Sequence, residues 1–475
     1  MSKPWEMVVG LEVHVQLRTK SKAFCACSTQ FGDAPNANTC PVCLALPGAL
    51  PVLNARAVEL AVRAALALGC TVHVRSVFAR KNYFYPDLPK GYQISQADQP
   101  LATGGHVPVG DGSTIGVTRV HMEEDAGKSI HDRFPGMTAI DLNRAGVPLI
   151  EIVGEPELRS SAQAGEYLRA LREILLFAGV SDCSMEEGSL RVDANVSARL
   201  VGETAFRPRT EIKNLNSFSN VERALELEFA RHVSTYEAGG AIQQQTMLFD
   251  AASNEVRAAR SKEGSHDYRY FPEPDLPPLV LDGAWLDAQR ATLPELPATR
   301  RSRFRSAFAL STTEAEALTA SRGIADYFEA TATAAGDGKH AANWVLGEVL
   351  ASLNATGGTI EDFPVAPARL AALIGLVQRG VVSSTAAKML FLTLHTDPAE
   401  PQQVAERDGL LQVGDDSALA AWIDEVWAEH PDEAGRYAAG ERKLQGVLVG
   451  LVMKKSKGRA DPKKVNQLLA ARVGA

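Results

Sequence analysis

The sequence changes character near residues 272–297, and this change constrains the fold more than any other feature. Before it, short segments of alternating polar and apolar residues are separated by glycine and proline, as is typical of strands and turns. After it, the chain is rich in Ala, Leu and Glu and has few strand signals. We therefore expect a strand-rich domain followed by helices. Prolines prevent any long helix or strand in the boundary region, and they are Pro272, Pro274, Pro277, Pro278, Pro294 and Pro297.

The clearest strands are Val8–Leu17 and Ser189–Ser197, in which apolar and polar residues alternate. The spacing of apolar residues predicts helices over Ala55–Leu68, Ser161–Phe177 and Ser219–Ala238. These strands and helices do not follow the regular alternation that a parallel sheet needs. The predicted class is therefore α+β, with a largely antiparallel sheet in the N-terminal domain and only helices after it.

The composition excludes several classes of protein. Of the 475 residues, 45% are apolar and 22% are charged, which does not fit a disordered, collagen-like or disulfide-scaffold chain. One core rarely organises so many residues, so we expect two or three domains. The longest stretch without a charge, Ala34–Ala55, contains four prolines and cannot span a membrane. No apolar signal is present at the N-terminus, and the expected location is the cytoplasm.

Charge is unevenly distributed along the chain. The formal net charge is −8, but residues 441–475 contain nine Lys and Arg against two acids. This segment therefore carries +7 and the rest of the chain −15. A basic tail on an acidic body is expected to meet a polyanion. The alternative is a helical domain with a solvated lysine face.

Four of the six cysteines lie within nineteen residues, namely Cys25, Cys27, Cys40 and Cys43. Two close pairs joined by a short loop can bring four thiolates around one tetrahedral zinc ion. Because four thiolates leave zinc no open position, we expect a structural zinc ion in the loop 25–43. Free thiols or a disulfide pair are the alternatives.

Acidic residues on separate strands form a second candidate metal site. Glu12 and His14 share the polar face of the first predicted strand, although a solvated strand edge is the alternative for this pair. Glu151 is the one charged residue of the apolar run 147–153. Burying an unpaired carboxylate is costly, so Glu151 is expected to meet a cation or a metal ion.

The segment 117–125 supplies a further carboxylate. Alternation puts Glu124 on the face of Val120 and Met122 and puts Glu123 on the other face, so Glu124 is the expected inward carboxylate. If these groups converge on one concave face of the sheet, their oxygen atoms suit Mg²⁺, which also binds phosphates.

Any ATP chemistry in this chain must use the sheet, its carboxylates and nearby cations, because the sequence has neither a Walker-type phosphate loop nor a dinucleotide fingerprint. The cations in polar strands or loops are Arg80, Lys81, Arg191, Arg209 and Lys213. Of these, Lys81, Arg191 and Lys213 are the expected ATP contacts.

Five long motifs make the chain resemble a known family. They are VGLEVHV from Val9, RKNYFYPDLPKGYQISQ from Arg80, HMEEDAGK from His121, EEGSLR from Glu186 and DYRYFPEPD from Asp267. The chain resembles the GatB family, the B subunits of the tRNA-dependent amidotransferases, which are heterotrimers called GatCAB. The resemblance spans essentially the whole chain.

The resemblance implies a glutamine-synthetase-like catalytic domain over residues 1–292, a helical domain over 293–402 and a tRNA-binding helical tail over 403–475. It implies a glutamine-hydrolysing, ATP-dependent carbon–nitrogen ligase. ATP activates the side-chain carboxylate of misacylated Glu-tRNA(Gln) or Asp-tRNA(Asn), and ammonia then converts it to the amide. The implied partners are the amidase and the small third protein of the heterotrimer, the tRNA and the cognate aminoacyl-tRNA synthetase.

The resemblance also implies roles for single residues. The matching motifs make Glu12, His14, Glu124 and Glu151 the magnesium-binding, catalytic set, with Glu123 as a weaker candidate. The segments 211–218 and 267–275 are candidate walls of an ammonia passage or a tRNA-end pocket, or else rigid packed loops. The expected contacts to tRNA phosphates in the tail are Lys454, Lys455, Lys457, Arg459, Lys463 and Lys464.

Two other functions remain open at this point. A stand-alone amide ligase of the glutamine synthetase kind would share the carboxylate site but would not need a basic tail. A tRNA-binding scaffold would need the tail but not the carboxylates. The sequence does not distinguish Glu-tRNA(Gln) from Asp-tRNA(Asn) as the substrate.

Overall fold

The computed structural model describes residues 4–110, 112–259, 268–413, 415–456 and 458–473. The chain forms two compact units, one up to Pro297 and one from Ala298 onward. The first unit combines strands and helices and the second is helical, so the predicted α+β class is confirmed. The predicted division of the helical part at residue 402 stays a prediction.

The first unit contains short and long strands and four helices among its described residues. The strands are β1 Trp5–Gln16, β2 Thr71–Val72, β3 Arg75–Ser76, β4 Ala79–Asn82, β5 Tyr92–Ser95, β6 Ala102–Pro108, β7 Thr114–Glu124, β8 Lys128–Phe134, β9 Met137–Asp141, β10 Pro148–Gly154, β11 Leu190–Leu200, β12 Thr210–Leu215, β13 Gln245–Asp250, β14 Glu255–Ala258, β15 Phe271–Pro272 and β16 Leu279–Val280. The helices are α1 Ala55–Ala67, α2 Ser161–Ala178, α3 Phe218–Glu237 and α4 Gly283–Ala291.

Nine of these strands form the main sheet, in the order β14-β13-β12-β11-β1-β10-β7-β6-β2. Strand β1 lies near its centre and pairs antiparallel with β10 on one side and β11 on the other. Strands β12 and β13 pair parallel, whereas the other neighbours are antiparallel. Smaller sheets are β15-β4-β5, β16-β3 and β8-β9.

The two faces of the main sheet differ in polarity because side chains alternate along each strand. Val9, Leu11, Val13 and Val15 of β1 are buried in a core to which α1, α2 and α3 also contribute. Each such side chain contributes roughly 1.5–3 kcal/mol when fully buried. The polar residues that alternate with them along β1 lie on the opposite face of the sheet. That face points away from the helices α1, α2 and α3 of this core.

Local capping explains where the long helices begin and end. The side chain of Ser160 accepts a hydrogen bond from the backbone N–H of Gln163 at the start of α2. Helix α2 ends at Gly179, whose φ of 70° is a left-handed conformation that glycine adopts without strain. Ser217 caps α3 in the same way, through the N–H of Asn220.

A buried polar network joins α3 to β12. The hydroxyl of Thr210 donates to the carboxylate of Glu228 at 2.7 Å and lies 2.9 Å from Nε2 of His232. Arg231 donates two hydrogen bonds to the same carboxylate. Burial would raise the pKa of Glu228, but the bonds from Arg231, His232 and Thr210 lower it to about 2. The network fixes the strand whose opposite face carries Glu211.

Glu228→Gln is expected to destabilise the first unit by about 3 kcal/mol at pH 7, because the substitution removes a carboxylate that the fold holds ionised. In the wild type, this contribution is present above the ordinary pKa of 4.5 and is lost as the pH falls through about 2. Urea unfolding at pH 7 and pH 3 would measure it, with Glu237→Gln at the exposed end of α3 as the control. An equal loss for both variants would contradict the assignment.

The second unit consists of helices, the first of which begins one residue before the boundary, at Pro297. They are α5 Pro297–Ala307, α6 Thr312–Leu318, α7 Arg322–Ala335, α8 Gly338–Trp344, α9 Leu350–Thr356, α10 Pro367–Gln378, α11 Ser384–Thr393, α12 Pro401–Arg407, α13 Asp416–Glu429, α14 Pro431–Ala438, α15 Gln445–Lys455 and α16 Pro462–Val473. A π-helical turn, Val345–Val349, joins α8 to α9. None of the described helices is long and apolar enough to cross a membrane.

The last helices share a small core of their own. Leu448 and Val452 of α15 pack with Leu469 of α16 and with residues of α13. Val447, one position before Leu448, is 47% exposed and lies outside this core. Asp461 caps α16, because its side chain accepts from the backbone N–H groups of Lys463 and Lys464.

Candidate active site

The polar face of the main sheet collects its charged residues at the centre. In the strand register, His14 of β1 is opposite Glu151 of β10 on one side and Arg191 of β11 on the other. Glu151 is in turn opposite His121 of β7. Directly paired residues in a sheet point to the same face, so four strands deliver these side chains to one place.

The centre of this face is a buried cluster of His14, Glu123 and Glu151, whose ligand-type atoms all lie within 4.8 Å of one another. The His14 Nδ1 atom lies 3.1 Å from Glu123 Oε1 and 3.9 Å from Glu151 Oε2. On the other side of Glu151, His121 Nε2 lies 3.3 Å from the carboxylate. The cluster therefore has the donor atoms and the negative charge that a divalent cation needs.

The pKa values of this cluster are strongly perturbed. Burial disfavours a charged imidazole, but hydrogen bonds to Asp193 and Glu123 outweigh it and raise the pKa of His14 to about 10. Burial would also raise the pKa of Glu123 and Glu151, yet the two histidines beside them lower both. Both carboxylates are thus ionised at neutral pH, which is the form that binds a metal ion.

A second acidic cluster adjoins the first. It consists of Glu12, Asp193 and Glu211, from β1, β11 and β12. Lys213 Nζ lies 2.7 Å from Asp193 and 3.0 Å from Glu211. Burial and the neighbouring carboxylate of Glu151 raise the pKa of Glu12, and the other acids of its cluster add to the effect.

Two further cations border the clusters. Burial alone would lower the pKa of Lys81 in β4, but the negative charges of Glu123 and Glu151 raise it. The ammonium of Lys81 therefore interacts electrostatically with the first cluster. Arg191 donates to Asp125 at 3.1 Å, at the edge of the same face. The three cations predicted from the sequence, Lys81, Arg191 and Lys213, thus lie around the carboxylates.

Glu124 is buried, as expected, but it lies outside the cluster of His14, Glu123 and Glu151. Its side chain contacts Lys90 and accepts from the backbone N–H of Ile94 at 3.0 Å. The alternation along β7 is as predicted, but the metal-type cluster lies on the polar face, to which Glu123 points. Glu124 instead lines a cavity of about 220 Å³ on the other side of β7.

The four clustered cysteines meet as the sequence predicts. Their sulfur atoms lie within 4.8 Å of one another, and none of the four forms a disulfide. A hydrogen bond from Cys25 holds the pKa of Cys43 at about 4, although burial opposes this, and the charge of Lys22 adds to the effect. Cys25 and Cys43 also line the cavity that contains Glu124.

The basic residues of the tail lie around the loop between α15 and α16. Lys455 pairs with Glu425 and Glu429, and the Arg459 guanidinium lies over the ring of Trp422. Lys454 and Lys463 are exposed, and Lys464 lies 3.6 Å from Asp416. Lys457 lies outside the described residues, as does Asp267 at the start of one candidate wall.

Sequence reasoning missed three residues of these sites. Asp193 and Glu211 lie on the polar faces of β11 and β12, and the alternation of Ser189–Ser197 alone could have pointed to Asp193. Lys90 follows no pattern that marks it as the partner of Glu124.

Comparison with known proteins agrees with this arrangement. A family model described as the GatB/GatE catalytic domain matches residues 7–287, and one described as the GatB domain matches residues 326–473. The aspartyl/glutamyl-tRNA(Asn/Gln) amidotransferase B subunit of Geobacter sulfurreducens is 51% identical over 471 residues, which is 98% of each chain. Two further B subunits are similar over nearly their whole length. That of Chlorobium limicola is 51% identical over 99% of each chain, and that of Chlorobium chlorochromatii is 53% identical over 98% of each chain. The chain therefore belongs to the GatB family, the B subunits of the aspartyl/glutamyl-tRNA amidotransferases.

Proposed function

We propose that the chain is the activating subunit of a tRNA-dependent amidotransferase. It phosphorylates the side-chain carboxylate of Glu-tRNA(Gln), Asp-tRNA(Asn) or both with ATP, and exchanges the phosphate for ammonia. The observation that carries the proposal is the buried cluster of His14, Glu123 and Glu151 beside the ammonium of Lys81.

The reaction explains why such a site is needed. A carboxylate does not react with ammonia, because its leaving group would be an oxide. Transfer of the γ-phosphoryl group from ATP to a carboxylate oxygen releases ADP and forms an acyl phosphate. Ammonia then attacks the carbonyl carbon, and inorganic phosphate leaves. The site must exclude water, which would otherwise hydrolyse the acyl phosphate.

The two acidic clusters fit divalent cations that accompany ATP. Glu123 and Glu151 are buried, ionised and close to His14, whereas Glu12, Asp193 and Glu211 form a more open set. When bound there, Mg²⁺ would neutralise charge on the transferred phosphoryl group. Lys81, Lys213 and Arg191 would hold phosphate oxygen atoms in line with the attacking carboxylate.

Ammonia must arrive unprotonated, so a sheltered polar route is needed. The cavity that contains Lys90 and Glu124 is one segment of such a route, because only strand β7 separates it from Glu123. Asp275, from the candidate wall 267–275, also lines it. Under this proposal, Glu124 serves the ammonia step and Glu123 the ATP step.

The assembled enzyme provides the direct test. The chain should be co-produced with an amidase and with the small third protein of the heterotrimer, and assayed with ATP, glutamine and each misacylated tRNA. We expect formation of Gln-tRNA(Gln), Asn-tRNA(Asn) or both that depends on ATP and glutamine. Amidation of free glutamate without tRNA would instead support a stand-alone ligase, and tRNA binding without amidation would support a scaffold.

The tail is proposed to bind tRNA phosphates. Lys454→Gln combined with Lys463→Gln is expected to lower tRNA affinity and to reduce the slope of log affinity against log salt concentration by about 2, one for each lost phosphate contact. Both side chains are exposed, so the core of the tail remains intact. Filter binding over a salt series measures the slope, with exposed Lys20→Gln as the control. An unchanged slope would mean that the tail presents only a solvated face.

A further inference from the structure

Four aromatic side chains lie close in sequence to Lys81 or to β15, and no step of the proposed reaction uses them. They come from the end of β4 and from the segment that leads into β15, and we call them the aromatic rim: Tyr83, Phe84, Tyr268 and Tyr270.

The rim is a built surface. The backbone N–H of Asn82 donates to the carbonyl of Tyr268 at 3.0 Å and extends the pairing of β4 with β15. Ring centroids are 6.1 Å apart for Tyr83 and Tyr268 and 6.0 Å apart for Tyr268 and Tyr270, with the rings edge to face. Lys81 Nζ lies 5.0 Å from the centre of the Tyr268 ring.

The rim also has a preformed open face. Phe84 is 90% exposed and Tyr270 is 44% exposed. Phe84 lies against Gly91, where a Cβ atom would come within 3.1 Å of its ring, and Gly91 has a φ of +73°. One edge of the Phe84 ring therefore lies near the backbone of Gly91, and the rest is presented to solvent. An exposed aromatic ring held in this way is a platform for another flat ring.

The rim reaches the reacting centre through Lys81 and Tyr270. Lys81 lies on the same face of the β4–β5 pair as Ser95, whose hydroxyl donates to Glu123 at 3.5 Å. Tyr270 packs edge to face on the Tyr268 ring, which lies beside Lys81. A ligand stacked on the rim therefore lies next to the cluster at which we place ATP-dependent activation.

We propose that the aromatic rim stacks the unpaired 3′-terminal adenosine of the tRNA. This inference rests on the proposed function, in which the carboxylate to be activated is attached to that adenosine through its ester bond. The terminal base must then lie near the cluster, separated from the reacting carboxylate only by the ribose, the ester and the amino acid. The adenine of ATP is separated from its γ-phosphate by the ribose and two further phosphates, and an enclosed pocket would suit it better than this open surface.

Single-stranded nucleic acid ends are commonly held by stacking on aromatic side chains, without base-specific hydrogen bonds. The rim would thus place the acylated end, while the tail binds the body of the tRNA.

The test is a binding cycle on the assembled heterotrimer. Phe84→Ala and Tyr270→Ala are each expected to weaken binding of intact uncharged tRNA by about tenfold. Removing the 3′-terminal adenosine from the tRNA should weaken wild-type binding by a similar factor. The shortened tRNA should bind the wild type and the two variants equally, because the lost contact is the same one.

Two controls keep the result specific. Tyr270→Phe retains the stacking ring and should bind intact tRNA like the wild type. Phe31→Ala removes an exposed ring, 64% exposed, from the cysteine loop and should also leave tRNA binding unchanged. If the loss in affinity from a protein variant and the loss from the shortened tRNA multiply, the two changes remove different contacts and the proposal is wrong. A raised KM for ATP with unchanged tRNA affinity would also overturn it. Because the cycle measures binding, it can fail in an enzyme that amidates normally, and it can succeed in a complex that does not amidate.

Discussion

Glu151→Gln is expected to lower the rate of tRNA amidation by about a thousandfold and to leave tRNA affinity nearly unchanged. Glu151 lies between His14 and His121 in the centre of the polar face, largely buried, at 3.9 and 3.3 Å from their nearest nitrogen atoms. Glutamine keeps the shape of the side chain but removes the negative charge that would hold a divalent cation beside the transferred phosphoryl group. The loss should therefore fall on chemistry and not on tRNA binding.

Single-turnover assays on the assembled complex would measure ADP release and amide formation separately, over a range of Mg²⁺ concentrations. Glu123→Gln should lose both, as Glu151→Gln does. Glu124→Gln is the matched control on the same strand, because its carboxylate lies in the cavity on the other side of β7. It should keep tRNA-dependent ADP release and lose mainly the ammonia step. If Glu124→Gln and Glu151→Gln abolish ADP release equally, the separation of the two sites is wrong.

The pair Glu123 and Glu124 shows how far sequence reasoning reaches in this chain. Alternation assigns the two carboxylates to opposite faces of β7, and the structure agrees. The choice of Glu124 as the magnesium ligand stays a prediction, because it rests on taking the apolar face as the inward one. Here both faces are covered near the end of β7, and both carboxylates are nearly fully buried. Burial alone could not identify the site, whereas the position of His14 on the polar face of β1 could have done so.

Local features were predictable, and pairings between distant segments were not. The bounds of α2 and α3 follow from Ser160 and Ser217, which cap them with hydrogen bonds to nearby backbone. The meeting of Glu12 with Asp193 and Glu211 depends on the order of β1, β11 and β12, and on a register shift in β11. The pattern of polar and apolar residues in a single segment carries no information about strand order or register in the sheet.

Loss of the metal ion from the cysteine loop is expected to destabilise the first unit by at least about 3 kcal/mol, and to lower glutamine-dependent amidation by about a hundredfold. The stability effect follows from Lys22, a fully buried side chain whose ammonium donates to the carbonyls of Asn38 and Leu142 and faces the thiolate of Cys43. Removing the metal ion breaks the link between the four sulfur atoms, and the loop that surrounds the buried ammonium is then no longer held in place. The catalytic effect follows from the shared wall, because Cys25 and Cys43 line the cavity of Glu124.

Metal analysis of the purified chain should find one zinc ion per chain, and Cys43→Ser should remove it. Cys70→Ala replaces a lone buried cysteine outside the cluster and should keep the zinc ion. Chelated wild type and Cys43→Ser should lose the same stability in urea and show the same slow amide formation, with ADP release retained. A folded, metal-free wild type of full stability would exclude the structural metal ion. If ADP release and amide formation fall equally, the cysteine loop supports the whole sheet and not only the cavity of Glu124. This follows because Glu123 and Glu124 both lie on β7, the strand that forms the opposite wall of that cavity.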